Sequence, residues 1–345
     1  MTLSLIDHVE AGNFLSRSEA QALMEELLSG RVETPDIVRL LTALNRREVQ
    51  VDELVGFAMI MRKYAAPVFG ANQTKPKNLV DTCGTGGKPV STFNVSTAAA
   101  IVAAAAGARV AKHGNRAITS RSGSADVLEA LGVRIDLPLE HHGRAICEIG
   151  IGFLFAPVAH SSTRHAGPAR KEIDKRTVFN LLGPLTNPAE ARFQVLGVFS
   201  AEMLDPVAGA LVELGSERAF IVRGMDGLDE ISLSDETWIV EVRNGTIRRY
   251  KVSPEDFGVS RAPLDAIRGT TPQGNAAVIR HIFGNPTVNT ESGPRRDIVV
   301  INAAAALVVS GVASSFREGA ELAKTAILSG AAKEKLEALI AFTSK

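Results

Sequence analysis

The sequence predicts an α/β protein in two parts: a small all-helical N-terminal unit over residues 1–72, then a larger α/β unit over 73–345 with a mainly parallel central sheet. Three observations carry this. Up to about residue 70, apolar residues recur at helical spacing. From Asn78 onward, short apolar runs alternate with Gly-rich turns and Ala-rich stretches, the texture of a parallel sheet with helices on both faces. Asn244-Gly245 sits between two strand-like segments, a hairpin signal that adds one antiparallel excursion.

In the helical part, Ser16 and Ser18 stand before Glu19 and Ala20 as a helix start; Ala22, Leu23, Leu27 and Leu28 continue it and Gly30 stops it. Thr34-Pro35-Asp36 opens another helix, with Ile37, Leu40, Leu41 and Leu44 on one stripe. A third, from about Val51 to Tyr64, carries Leu54, Phe57, Ala58 and Met61. Pro67 and the stretch from Gly70 to Pro76 break the pattern and mark the boundary. Beyond it, Leu79–Asp81, Arg109–Ala111, Phe153–Phe155, Val195–Phe199, Ala219–Val222 and Ile298–Ile301 read as strands, with a helix from about Ser96 to Ala106. Thr237–Val242 and Thr246–Val252 form the expected hairpin.

Bulk properties narrow the function classes. Of 345 residues, 45% are hydrophobic and 22% charged, ordinary for a globular protein. Lys plus Arg equals Asp plus Glu at 38 each, so nothing global points to nucleic acid or a membrane surface. An anionic ligand would have to be drawn by local groups. Cys83 and Cys147 form neither a disulfide framework nor a CxxC pair, and a reducing cytoplasm is expected. Asp7, His8 and Glu10 stand where a secretory signal would be basic then apolar, so none is expected. The run Ala98–Ala106 is about half of the ~20 residues a membrane helix needs, and reads as buried helix.

Four segments carry candidate chemistry. In DTCGTGGKPVSTFNVST (81–97), Gly84, Gly86 and Gly87 follow a strand and precede a helix. Glycines allow close backbone approach, and a helix N-terminus offers free N–H groups to an anion. With Asn94, Ser96 and Thr97 this reads as a phosphate cradle; a tight turn capped by Ser96 or Thr97 fits as well. The order is neither Walker A nor GxGxxG. KHGNRAITSRSGSAD (112–126) supplies Lys112, Arg116 and Arg121 with three serines, as a second phosphate loop or as an exposed basic loop. MDGLDEIS (225–232) brings Asp226, Asp229 and Glu230 together, a hard-cation ligand set for Mg²⁺ or a solvated acidic turn. Between Phe155 and Pro188, His160, Arg164, His165 and Arg170 include candidates for a planar carboxylate, and spacing alone does not choose among the arginines.

DTCGTGGKPVSTFNVST, KHGNR, SGSADVLEALG, FLFAP, RTVFNLLGPLTNP and DGLDE, in this order over nearly the whole chain, closely resemble the anthranilate phosphoribosyltransferase family. The resemblance implies a fold of the nucleoside phosphorylase type, a homodimer formed through the helical part, and Mg²⁺ as cofactor. It implies transfer of the phosphoribosyl group of phosphoribosyl pyrophosphate (PRPP) to the amine of anthranilate, in tryptophan biosynthesis, without a covalent nucleophile. It places PRPP at Gly84, Gly87, Lys88, Thr92, Asn94, Val95, Ser96, Thr97, Lys112, His113, Gly114, Asn115, Arg116, Thr119, Ser120 and Ser124. Ser96, Asp229 and Glu230 are the implied metal ligands. Gly84, Asn115 and Arg170 are the implied anthranilate contacts, with Arg170 on the carboxylate.

One position departs from the family pattern: where the loop usually reads GTGGD, this chain has Lys88. A lysine there would attract phosphate directly, where a carboxylate would act through Mg²⁺. Two rival readings remain. A pyrimidine nucleoside phosphorylase shares the fold type, and the intact KHGNR and LLGPLTNP segments argue against it. A non-catalytic paralogue that binds nucleic acid or nucleotide has Lys88 in its favour and is opposed by the zero net charge and the Asp229-Glu230 pair.

Overall fold

Four helices open the chain, Thr2–Glu10, Arg17–Leu28, Thr34–Leu44 and Val51–Lys63, in a computed structural model that describes residues 2–70, 73–86, 91–117, 121–284 and 293–344. Ser16 caps the second: its Oγ accepts the Glu19 amide at 3.3 Å, and the Glu19 carboxylate accepts the Ser16 amide at 2.8 Å. This reciprocal cap satisfies two amides that the first turn leaves over. The helix Thr2–Glu10 escaped the sequence reading because it buries only Ile6 and Val9, too few for a legible stripe.

The four helices do not close a core by themselves. Leu23, Leu41, Leu54 and Phe57 share one apolar cluster with Ala166, Phe179, Leu182 and Val207, and with Leu196 and Ile221 of the sheet. Arg62 stitches the two parts together. Its Nε donates to the Leu185 carbonyl at 2.9 Å and its Nη1 to the Leu214 carbonyl at 3.1 Å. Those carbonyls belong to helix ends that would otherwise leave acceptors unpaired.

The sheet holds seven strands among the described residues: β1 (Leu79–Gly84), β2 (Arg109–Gly114), β3 (Ile151–Phe155), β4 (Phe193–Gly197), β5 (Arg218–Gly224), β6 (Thr237–Arg243) and β7 (Thr246–Val252). Their order is β3-β2-β1-β4-β5-β6-β7. The first five pair in parallel, and β5, β6 and β7 pair antiparallel. Asn244 (φ 48°) and Gly245 (φ 79°) form the predicted two-residue turn, a conformation that matches the twist of the strands it joins.

From β1 the chain winds outward to β2 and β3, then returns to add β4 on the other side. The β1–β4 boundary is therefore the point where strand order reverses, and open α/β sheets bind ligands at the carboxyl ends of strands there. Both strands end in glycine: Gly84 pairs in register with Gly197.

The predicted strand Ile298–Ile301 is instead part of the helix Gly293–Val309. Every residue from Ile298 to Val309 is buried. A helix covered on all sides shows no amphipathic period, so its β-branched start reads as a core strand until its length is counted.

Candidate active site

The carboxyl ends of β1 and β2 open on a cleft of about 760 Å³. Gly84 brings the backbone of β1 hard against the acidic turn: a β-carbon there would lie 2.6 Å from Asp229 Oδ2. The next loop holds the same carboxylate, with the Gly86 amide donating to Asp229 Oδ2 at 3.0 Å. Thr85 donates its amide to the Gly197 carbonyl at 2.9 Å, so the loop is tied across the β1–β4 boundary.

The helix Val95–Ala105 starts at the cleft. Its N-cap is Asn94, and neither Ser96 nor Thr97 caps it. The Asn94 side chain is used elsewhere: Nδ2 donates to Ser122 O at 3.1 Å, and Oδ1 accepts Ser122 Oγ at 3.0 Å and Asn275 Nδ2 at 2.9 Å. Asn94 thus binds the two polar loops to each other. Thr97 is buried with no hydrogen bond to its hydroxyl among the described residues, and it lines the cleft. Val95 is fully buried in the core and does not line it.

On β2, Lys112 is 3% exposed. Its Nζ donates to the Thr82 carbonyl at 2.5 Å and lies 3.4 Å from Ser96 Oγ. Beneath it Asp81 is fully buried; it accepts the His113 amide at 3.1 Å and Asn187 Nδ2 at 2.8 Å. Burial pushes the Asp81 pKa up, and Lys112 opposes that shift. Gly114 and Gly123 are packing glycines: β-carbons there would meet Ser124 Oγ at 2.1 Å and the Ala117 amide at 2.4 Å. Asn115 and Ser124 border the cleft. Arg116 borders it too, but its guanidinium is taken by Glu129 at 2.5 Å and Asp126 at 3.2 Å.

Of the three acidic candidates, only two face the site. Asp226 folds back on its own turn, accepting the Leu228 amide at 3.1 Å and the hydroxyls of Ser232 and Ser234. Asp229 and Glu230 are 4% and 6% exposed and line the cleft. Together with Ser96 they also border a void of about 10 Å³, room for roughly one water molecule. This donor set is all oxygen, with two carboxylates. Mg²⁺ is usually held by one or two carboxylates while its other positions go to water and substrate phosphate, so the residues present fit that ion.

Arg170, Phe179, His113 and His160 give the cleft lining a cationic and aromatic part. Arg170 lies over the Phe179 ring, 5.1 Å to the centroid, and no carboxylate pairs with it among the described residues. Burial lowers its pKa. His113 and His160 meet edge to face at 5.2 Å. Each binds a backbone carbonyl, His113 Nδ1 to Gly183 at 3.1 Å and His160 Nε2 to Thr186 at 2.9 Å. Burial lowers their pKa values to about 3 and about 4. Both rings are therefore neutral near pH 7, and His113 Nε2 is a buried lone pair with no partner among the described residues.

Of the residues singled out from sequence, Gly84, Thr92, Asn94, Ser96, Thr97, Lys112, His113, Gly114, Asn115, Arg116, Ser124, Arg170, Asp229 and Glu230 all line this cleft. Gly87, Lys88, Thr119 and Ser120 lie outside the described residues. Met61, Thr85, Phe179, Asn180 and Pro184 line it as well and were not proposed. Phe179 to Pro184 belong to RTVFNLLGPLTNP, a segment that carried the resemblance but gave these residues no role. Arg164 lines the cleft too, whereas His165 does not.

The fold and cleft define a glycosyl transferase built from a helical bundle and an α/β unit. Residues 3–65 match "Glycosyl transferase family, helical bundle domain" and residues 76–333 match "Glycosyl transferase family, a/b domain". The anthranilate phosphoribosyltransferase of Rubrobacter xylanophilus is 49% identical over 330 residues, 96% of this chain and 94% of that one. The crystal structure of the Thermus thermophilus enzyme matches with TM-score 0.90 and 44% identity, covering 99% of each chain. The Saccharomyces cerevisiae enzyme in complex with PRPP and Mg matches with TM-score 0.90 and 27% identity, over 99% of this chain and 98% of that one. The chain belongs to the anthranilate phosphoribosyltransferase family.

Proposed function

We propose that the cleft binds PRPP with its pyrophosphate at the β1 loop and the start of helix Val95–Ala105, and anthranilate with its carboxylate at Arg170. The reaction is transfer of the phosphoribosyl group from PRPP to the amine of anthranilate, releasing pyrophosphate, a step of tryptophan biosynthesis. The observation that carries the assignment of poles is that the two sets of groups are carried by different elements. One set gathers Gly84, a helix N-terminus, Lys112 and two buried carboxylates; the other presents Arg170 with no carboxylate paired to it among the described residues. A half-buried cation left so is stabilised by an anionic ligand, and a guanidinium matches a planar carboxylate in bidentate fashion.

Ser96, Asp229 and Glu230 are the residues that would hold Mg²⁺, which when bound would neutralise charge on the leaving pyrophosphate. The helix N-terminus and Lys112 act on the same charge from the protein side. An aromatic amine is neutral near pH 7 and attacks without a strong base. That agrees with a site whose histidines are held neutral by burial. Asn115 and Arg170 orient the acceptor, and catalysis rests on positioning and electrostatics. The assembly we propose is a homodimer formed through the N-terminal part. No described helix is long and apolar enough to cross a membrane, and the compartment we propose is the cytoplasm.

The test follows anthranilate fluorescence on mixing purified protein with PRPP and Mg²⁺. Loss that requires both is expected. No loss over a wide range of Mg²⁺ would overturn the reading.

A further inference from the structure

The acidic turn that carries Asp229 and Glu230 is held from behind by one side chain. Asn302 sits in the middle of helix Gly293–Val309 and is 5% exposed. Its Oδ1 accepts the Ile231 amide at 3.0 Å, and its Nδ2 donates to the Ile231 carbonyl at 3.0 Å. The second Nδ2 hydrogen goes to Ile298 O, one turn back in its own helix, at 2.9 Å. Both donors of the amide are thus used, which fixes its orientation. Asn302 gives Ile231 the pair of bonds that a neighbouring strand would give, at a residue that lies beyond the end of β5 and outside the sheet.

Ile231 directly follows Glu230. The Ile231 N–H lies in the same rigid peptide plane as the Glu230 Cα and carbonyl. Clamping that N–H holds the plane to which the Glu230 Cα belongs, and so limits how the Glu230 side chain can move. Asn302 also borders the small void shared by Ser96, Asp229 and Glu230. A buried amide in a helix segment otherwise made of Ile, Val, Ala and Leu has to form hydrogen bonds to be tolerated. An aliphatic residue there would satisfy the core and leave the turn unheld.

We propose that Asn302 is a positioning residue for the divalent cation and pyrophosphate pole, acting through Glu230 without touching either ligand. This rests on the proposed placement of Mg²⁺ and PRPP. Groups that orient metal ligands from behind change metal affinity by roughly 10- to 100-fold when removed. The loss should fall on the metal and PRPP more than on anthranilate, whose proposed carboxylate contact, Arg170, is carried by a different element, the helix Gly167–Ile173.

The experiment measures Mn²⁺ binding by electron paramagnetic resonance on full-length protein with PRPP and without anthranilate. It also measures the Mg²⁺ concentration for half-maximal activity and both Michaelis constants. For Asn302→Ala we expect Mn²⁺ affinity to drop about tenfold or more, the Mg²⁺ requirement to rise in step, and KM for anthranilate to stay within about twofold. Asn302→Asp keeps the acceptor for the Ile231 amide and should fall between the two; it is also the variant to read if the alanine protein does not fold. Unchanged Mn²⁺ affinity in a folded variant overturns the proposal, as does an equal rise in KM for anthranilate, which marks a merely structural role. Wild-type protein that binds no Mn²⁺ with PRPP instead sinks the placement of the cation on which the proposal stands.

Discussion

The carbonyl oxygen of Asp229 occupies the space where a side chain at residue 197 would begin: a β-carbon built on Gly197 falls 1.6 Å from it. Backbone meets backbone here, so no rotamer change relieves the clash. Gly197→Ala should displace the turn bearing Asp229 and Glu230 and lower kcat/KM about 100-fold, the scale of a ~1 Å misplacement. Gly84→Ala meets the end of the Asp229 side chain, 2.6 Å away, a clash that a side-chain rotation relieves at the cost of its bond from the Gly86 amide. It should cost less. Steady-state kinetics on the two variants would show the order, and a Gly84 variant worse than the Gly197 one would contradict it.

Arg170 tests the acceptor pole. Removing a charged hydrogen-bonding group costs about 1.5–3 kcal/mol, roughly 10- to 150-fold in affinity. Arg170→Ala should raise KM for anthranilate by that factor and leave KM for PRPP nearly unchanged. Arg170→Lys should recover only part, because an ammonium lacks the planar fork. A rise confined to PRPP would reverse the assignment of the two poles.

Buried histidines make stability depend on pH. His113, His142 and His160 have pKa values lowered by burial to about 3, about 4 and about 4, against an ordinary 6.5. Between those values the unfolded chain binds protons that the folded chain refuses, so stability rises with pH through that window and is lost as pH falls from 6.5 towards 4. Each unit of such a shift is worth about 1.4 kcal/mol. His142 does not line the cleft, so His142→Leu isolates the effect. Its melting temperature should fall less between about pH 6.5 and about pH 4 than that of the wild type. An equal fall would show that His142 does not titrate in this way.

Lys88 stands where the resemblance leads one to expect Asp, and it lies outside the described residues. A lysine beside the pyrophosphate would partly replace metal charge. Lys88→Asp should then raise the Mg²⁺ requirement and change KM for PRPP. If neither moves, Lys88 has no such role.

The legible part of the site was the part made by backbone. Gly84 and the NG turn at 244–245 announce themselves because few other residues fit their geometry. Capping at Ser16 was equally plain, since the donor and acceptor lie three residues apart. What sequence did not give was direction. Asp226 and Asp229 differ by three positions, yet one folds onto Ser232 and Ser234 while the other faces Gly84. Arg116 looked like a phosphate ligand, and Glu129, thirteen residues on, claims its guanidinium. Asn302 was hidden for another reason: it lies in the segment whose first residues read as a strand, and its partner Ile231 is 71 positions away. Contacts of that separation have no local signature.

Met61 lines the cleft from the last of the four opening helices, and Arg62 beside it anchors that helix to the ends of two others. The segment boundary near residue 72 is therefore a seam in the chain and not a line of cleavage in the machine. An α/β unit expressed from residue 73 onward would lose Met61 from the cleft wall and the helical half of the apolar cluster that covers Leu196 and Ile221. Swapping the helical part between relatives would transplant part of the active site with it.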